Sequence, residues 1–319
     1  MFKNLIVYRI AAGWPASAAH IEECLAKAEF VPCGAAQPLS LGWTPPRGKA
    51  HGPLVEAVAG QWLLSLKIEQ KLLPAAVVRR RTEERALKIE QATGRKPGKK
   101  QTREIKDEAV LDLLPQAFTK QATVPVWLAP KAGLLMVDAG SASKADQVVT
   151  LLVKSLDGLA PMRVHTAESP AAAMAAWLLE GSAPAPFTID RECELKSADE
   201  MKSVVRYARH PLDTDEVRQH IGAGKLPTRL ALTWRDRVSF VLTEAMQLKK
   251  IALLDVVMAS RNQTDKADDA FDADAAIATG ELRPLIADLI EALGGEQVPG
   301  SAAAPANADA VSVLVAVTA

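Results

Sequence analysis

The run RRRTEERALKIEQATGRKPGKKQTR at positions 79–103 holds ten Lys or Arg against three Glu. The whole chain balances 38 basic residues against 38 acidic ones, so positive charge is concentrated here and offset elsewhere. The stretch belongs to a longer segment, from about 75 to 114, that is helical and highly charged, with an interruption at Gly94–Gly98 (GRKPG). Glycine and proline together break a helix, so the pattern predicts two helical arms joined by a basic turn that projects from a body. A segregated positive field points to a polyanion, and nucleic acid is the first candidate. A solvated arm whose charges only confer solubility is the alternative.

On either side of the arm the pattern is mixed. Phe2, Leu5 and Val7 begin a strand, and Ala18 to Ala28 carries the i, i+3, i+4, i+7 apolar spacing of a helix. LGWTPPRG at 41–48 reads as a Pro/Gly loop and GQWLLSLKIEQ at 60–70 as a strand. After the arm, TVPVWLA and GLLMVDA flank PKA as a hairpin, and Ser143 is placed to cap a helix carrying Val148, Val149, Leu152 and Leu156. A second block starts near 187. MKSVVRYAR predicts a strand, and TDEVRQHIGAG a helix capped by Thr214. Leu230, Leu232 and Trp234 alternate into a turn at Arg235–Asp236, followed by Val238, Phe240 and Leu242. A further strand near 248–254 and a helix from about Glu281 to Leu293 complete the fold.

The expected class is α+β, with mixed sheets and a projecting charged helical arm. Residues 1–74 with 123–160 form a first body, 75–122 the arm and 161–296 a second body. Residues 297–319 are Ala/Pro-rich and are expected to be a disordered tail.

No apolar run approaches the roughly 20 residues that span a bilayer. MFKNLIVYRI lacks the long apolar region and cleavage site of a signal peptide and reads as a strand. Three scattered cysteines suggest no disulfide framework and fit a reducing cytoplasm; Cys24 falls on the apolar face of its helix.

Catalytic motifs fail on inspection. Ser141-Ala-Ser-Lys144 matches S-x-x-K but has no K-T-G companion and reads better as a helix cap. Gly94 to Lys99 is one residue short of a phosphate loop, and Lys100 stands where Ser or Thr is needed. Asp265, Asp268, Asp269, Asp272 and Asp274 miss the spacing of a calcium loop and are expected in a solvated loop or strand start. The five histidines are dispersed without zinc spacing. A non-enzymatic protein with no cofactor and no metal is expected.

The binding candidates are cations. Arg79, Arg80, Arg81, Arg85, Lys88, Arg95, Lys96, Lys99 and Lys100 lie on the arm, and Lys120 stands just after it beside Phe118. Such groups neutralise phosphates by counterion release, and an aromatic beside a cation can stack on a base or wedge into a groove. The alternative for Phe118 is an anchor to the core or a partner subunit. A second group is Arg206, Arg209 and His210 in RYARHP, with Lys225 and Arg229 nearby. No recognition helix appears, so any DNA binding is expected to ignore sequence.

These residues resemble the bacterial recombination-associated RdgC family over about 1–296. The resemblance rests on FKNLIVYRI, FVPCG, LGWTPPRG, EQKLLP, LLPQAF, GLLMVDAGSASKADQVVTLLVKSL, HIGAGK, LALTW and FDADAAIATGEL followed by LIEALGGE, in that order and spacing. It implies a ring-forming homodimer with a positively lined hole that encircles duplex DNA and binds double and single strands without sequence preference. It also implies restraint of recombinase filament assembly and strand exchange, a cytoplasmic, nucleoid-associated location and the bacterial recombinase as a further partner. By position, Phe118 falls at the family's gate aromatic, Arg209 and His210 at the tip's basic-polar pair, and Arg95 at a basic position of the arm. Gln116 stands where the family has arginine and His210 where it has an amide, so one fixed charge is lost and a titratable group gained. A scaffold whose arm docks an acidic protein, and a magnesium nuclease using scattered carboxylates, remain the rival functions.

Overall fold

A computed structural model of the chain describes residues 2–11, 14, 17–259 and 267–297. In chain order the strands are β1 (Leu5–Arg9), β2 (Leu39–Thr44), β3 (Glu56–Val58), β4 (Gln61–Lys71), β5 (Thr119–Ala129), β6 (Leu134–Val137), β7 (Met162–Arg163), β8 (Phe187–Ser197), β9 (Val204–Ala208), β10 (Lys225–Trp234), β11 (Val238–Thr243) and β12 (Gln247–Leu253). The helices are α1 (Ala18–Ala26), α2 (Ala75–Thr93), α3 (Lys99–Leu113), α4 (Ala142–Ser155), α5 (Pro170–Glu180), α6 (Asp215–Gly222), α7 (Asp255–Met258) and α8 (Ala267–Ala292).

Among the described residues the strands form one sheet in the order β2-β4-β5-β6-β1-β12-β11-β10-β8-β9, with β3 beside β4 and β7 beside β1. Neighbouring strands are antiparallel throughout. The two halves join where β1 meets β12, through Leu5 opposite Leu248 and Ile6 opposite Gln247. Two-residue alternation on β1 explains how that junction is held. Ile6 and Tyr8 pack under α1 and α4 with Ile21, Leu25, Val148 and Leu152. Leu5 and Val7 face the other side, in the core that α5 and α8 cover with Trp177, Leu282, Leu285 and Leu289. β1 is therefore buried on both faces. Among the described residues the β8–β11 half has helices on one face only, and its other face carries polar residues such as Asp190, Glu192, Glu194, Arg229 and Thr233.

Most expected elements form where periodicity places them, including the hairpin β5–β6. In the three-residue connection from β10 to β11, Arg235 and Asp236 both take positive φ, +48° and +53°, and the Arg237 N–H donates to the Trp234 carbonyl at 2.9 Å. Five expectations are corrected. One antiparallel sheet stands where mixed sheets were expected, because each strand pairs with antiparallel neighbours from one edge to the other. LGWT is not loop but the end of β2, because Gly42 serves a close approach rather than a turn. A Cβ there would sit 2.3 Å from the Phe30 Cα that crosses it. The cap of α4 is Ser141, whose Oγ accepts the Lys144 N–H, and Ser143 lies inside the helix. The acidic residues Asp268, Asp269, Asp272 and Asp274 are helical, and α8 begins at Ala267 rather than Glu281. Its early core positions are Ala275 and Ala278, too small to register as an apolar stripe. Thr214 precedes α6, but its hydroxyl makes no cap hydrogen bond. Asp265 and the expected tail beyond Gln297 lie outside the described residues.

Candidate nucleic-acid interface

α2 and α3 form the arm. Gly94 ends α2 in the left-handed region at φ +70°, and its N–H donates to the Glu90 carbonyl; Pro97 and Gly98 then reverse the chain into α3. Little apolar surface holds the helices together: Val78 and Thr82 on one, Ile105 and Ala109 on the other. Ion pairs supplement it. Arg85 pairs with Asp112 and with Glu108 at 3.2 Å, while Arg80 and Arg81 pair with Glu84 at 3.0 and 3.6 Å. At the root, Lys71 Nζ donates to the carbonyls of Ala35 (2.6 Å) and Leu114 (2.9 Å).

The ten expected arm and root cations therefore fall into two groups. Arg80, Arg81 and Arg85 are engaged by the arm's own carboxylates. Arg79, Lys88, Arg95, Lys96, Lys99, Lys100 and Lys120 are exposed, with no ion pair among the described residues. Four of these surround the turn. Lys99 and Lys100 open α3, whose first turn contains no acid, so two cations sit at the positive end of a helix dipole. That arrangement opposes helix stability and concentrates positive potential at the arm's end. Arg103 and Lys106, also exposed on α3, extend it. Replacing Asp112 with Asn should loosen α2 from α3 by about 1 kcal/mol or less. Faster tryptic cleavage within 79–103, with an unchanged melting temperature of the body, is the expected readout.

Phe118 lies at the arm's root, where the Leu72 N–H donates to its carbonyl (2.8 Å). Its ring is 85% exposed and reaches no core of its own chain. Gln116 is exposed beside it.

The second group sits on the opposite edge of the sheet. Arg206 projects from β9, 74% exposed, and its Nε donates to Glu194 Oε2 at 2.6 Å. Arg209 is exposed with φ +56°. The His210 Nδ1–H donates to the Pro211 carbonyl at 2.6 Å, and the imidazole lies 5.5 Å from the Tyr207 ring. Seven strand steps separate β5 from β9, about 34 Å at ~4.8 Å per step. One chain does not bring the arm and this group together. The residues absent from the sequence reasoning are on β8: Glu192 holds Lys250 at 2.5 Å, and Asp190 accepts the Thr233 hydroxyl at 3.0 Å. Their signal was the alternation of Asp190, Glu192 and Glu194 along one strand. Among the described residues no cluster of three or more His, Cys, Asp or Glu is arranged to hold a metal ion. No helix among them is long and apolar enough to cross a membrane.

A family model described as "Putative exonuclease, RdgC" matches residues 1–296. Curated relatives agree over nearly their full lengths. A "Recombination-associated protein RdgC" of Dechloromonas aromatica is 47% identical over 301 residues, covering 93% of this chain and 98% of the relative. The protein of the same name from Cupriavidus pinatubonensis is 47% identical over 297 residues, covering 93% and 99%. That of Bordetella pertussis is 43% identical over 297 residues, again covering 93% and 99%.

Proposed function

This chain belongs to the RdgC family, and from that premise we propose that it is a non-catalytic, sequence-independent DNA-binding protein, two copies of which close into a ring around DNA and limit recombinase access. The observation that carries this function is the group of exposed, unpaired cations at the turn of the arm, set against the N-terminus of α3. Nothing in the packing of the arm needs them. Cations that contact phosphates position a protein on DNA without selecting its sequence. Arg79, Lys88, Arg95, Lys96, Lys99, Lys100 and Lys120 take the phosphates, while Arg80, Arg81 and Arg85 stiffen the arm that carries them. Arg206, Arg209 and His210 form a second contact on the far edge of each copy. The two bodies share one sheet, so the arm at 75–122 is the part free to adjust. The working location is the cytoplasmic nucleoid.

Fluorescence anisotropy with two unrelated duplexes and a single strand, across a salt series, tests this. Similar affinities for the duplexes, falling with salt at a slope of about 0.9 per phosphate contacted, are expected. Absence of binding at low salt would falsify the proposal. Phe118→Ala should shorten the lifetime of the complex on closed circular DNA while leaving the fold intact, because the residue is 85% exposed and contributes little to the core. An unaltered dimer with full DNA retention would remove Phe118 from ring closure.

The description of the family model supplies a second function, exonuclease. The carboxylates aligned on β8 are each engaged: Glu194 with Arg206, Glu192 with Lys250, Asp190 with Thr233. Labelled DNA incubated with magnesium should yield no product, and any product that depends on the metal would replace the non-catalytic function.

A further inference from the structure

Glu194 stands between two arginines on the face of the sheet that no helix covers among the described residues. Arg206 on β9 and Arg229 on β10 are its directly paired cross-strand neighbours. The three side chains therefore project in a row, cation, carboxylate, cation. The register of β10 shifts between Pro227 and Arg229. A bulge of this kind re-aims a side chain, and here the Thr228 hydroxyl donates to Glu194 Oε1 at 2.8 Å. The Arg206 Nε occupies Oε2 at 2.6 Å. The carboxylate is thus fixed at both oxygens and only 14% exposed, while Arg206 and Arg229 remain open to solvent. Hydrogen bonds from Thr228 and Arg206, with the charge of Arg229 nearby, hold its pKa below the usual carboxylate range. It stays ionised at neutral pH.

We infer that Arg206 and Arg229 form a phosphodiester-binding pair masked by Glu194, which limits how tightly this edge of the protein grips DNA. Two ladder steps separate the arginines, about 10 Å between backbones; the Arg206 guanidinium lies on the carboxylate, and Arg229 acts on it through its charge. A phosphate oxygen competes with the Glu194 carboxylate for the same N–H donors. The protein's own anion thereby weakens a contact that the two flanking arginines would otherwise make strong, which suits a ring that must be displaced from DNA. The inference rests on the DNA-binding function above and adds a residue that restrains it.

The test uses the full-length chain carrying Glu194→Gln, which keeps the shape and an acceptor for Thr228. Glu180→Gln, at the exposed end of α5, serves as the charge-matched control. Glu194→Gln should tighten duplex binding by about three- to ten-fold near ~0.1 M salt and steepen the salt slope by about one. On heparin resin it should elute at higher salt than Glu180→Gln. Adding Arg206→Gln to Glu194→Gln should cancel most of both gains. Melting temperatures verify that every variant is folded. An elution shift no larger than that of Glu180→Gln, or one that survives loss of Arg206, overturns the masked pair whatever DNA does. A specific heparin shift without DNA binding leaves the anion pair standing and overturns the DNA function instead.

Discussion

The double change Lys99→Glu and Lys100→Glu is expected to weaken binding to every duplex by at least about ten-fold near ~0.1 M salt and to flatten the salt slope by about two. Each substitution removes a phosphate contact and adds a charge that repels the backbone. The effect should be the same for unrelated sequences, because a phosphate contact carries no base information. The fold should be unharmed, since both side chains are exposed and unpaired. Acids in the first turn of α3 even agree with its dipole, so the arm should become slightly more helical. Gain of helix with loss of DNA would separate a binding role from a structural one. Unchanged affinity would remove the arm from the interface.

Trp127→Ala is expected to be the most destabilising single change argued for this chain, costing about 3–5 kcal/mol from the core alone. Trp127 is fully buried on β5, stacked on Phe2 with ring centroids 5.8 Å apart. Its indole N–H donates to Gln61 Oε1 at 2.8 Å, and Gln61 is itself buried. Truncation leaves a cavity beneath the first residues of the chain and a buried amide without its partner, which adds about 1–3 kcal/mol. Native proteins hold roughly 5–15 kcal/mol in total, so much of the stability goes at once. Trp127→Phe should cost less than half as much by retaining ring contact. Urea midpoints of the two variants decide the point, and equal losses would show that the hydrogen bond, not the volume, dominates.

The positions of these two sites differed in how visible they were. Lys99 and Lys100 stand out as charge in the sequence, and the GRKPG break locates them at the end of an arm without any coordinates. β4, β5 and β10 are legible because alternation repeats every two residues regardless of what covers them. β2 was hidden because Gly42 carries the same letter whether it permits a turn or the passage of Phe30. The first half of α8 was hidden because its buried positions there are alanines, Ala275 and Ala278, which set no strong apolar stripe. β8 went unassigned, although its acids alternate as cleanly as any apolar strand.

The family resemblance, the class of the fold, the two-helix arm and the excess of positive charge at 79–103 were determined by sequence alone. Those properties live in short-range spacing, in the order of motifs and in composition, which a chain carries before it folds. Only tertiary structure decided that one sheet joins both halves through β1 and β12, and that Arg85 is held by Asp112 while Lys99 is free. It alone set Glu194 between Arg206 and Arg229. Charge compensation depends on which residues meet across strands and helices, and twelve or thirty-five residues of separation leave no trace of that meeting in local pattern.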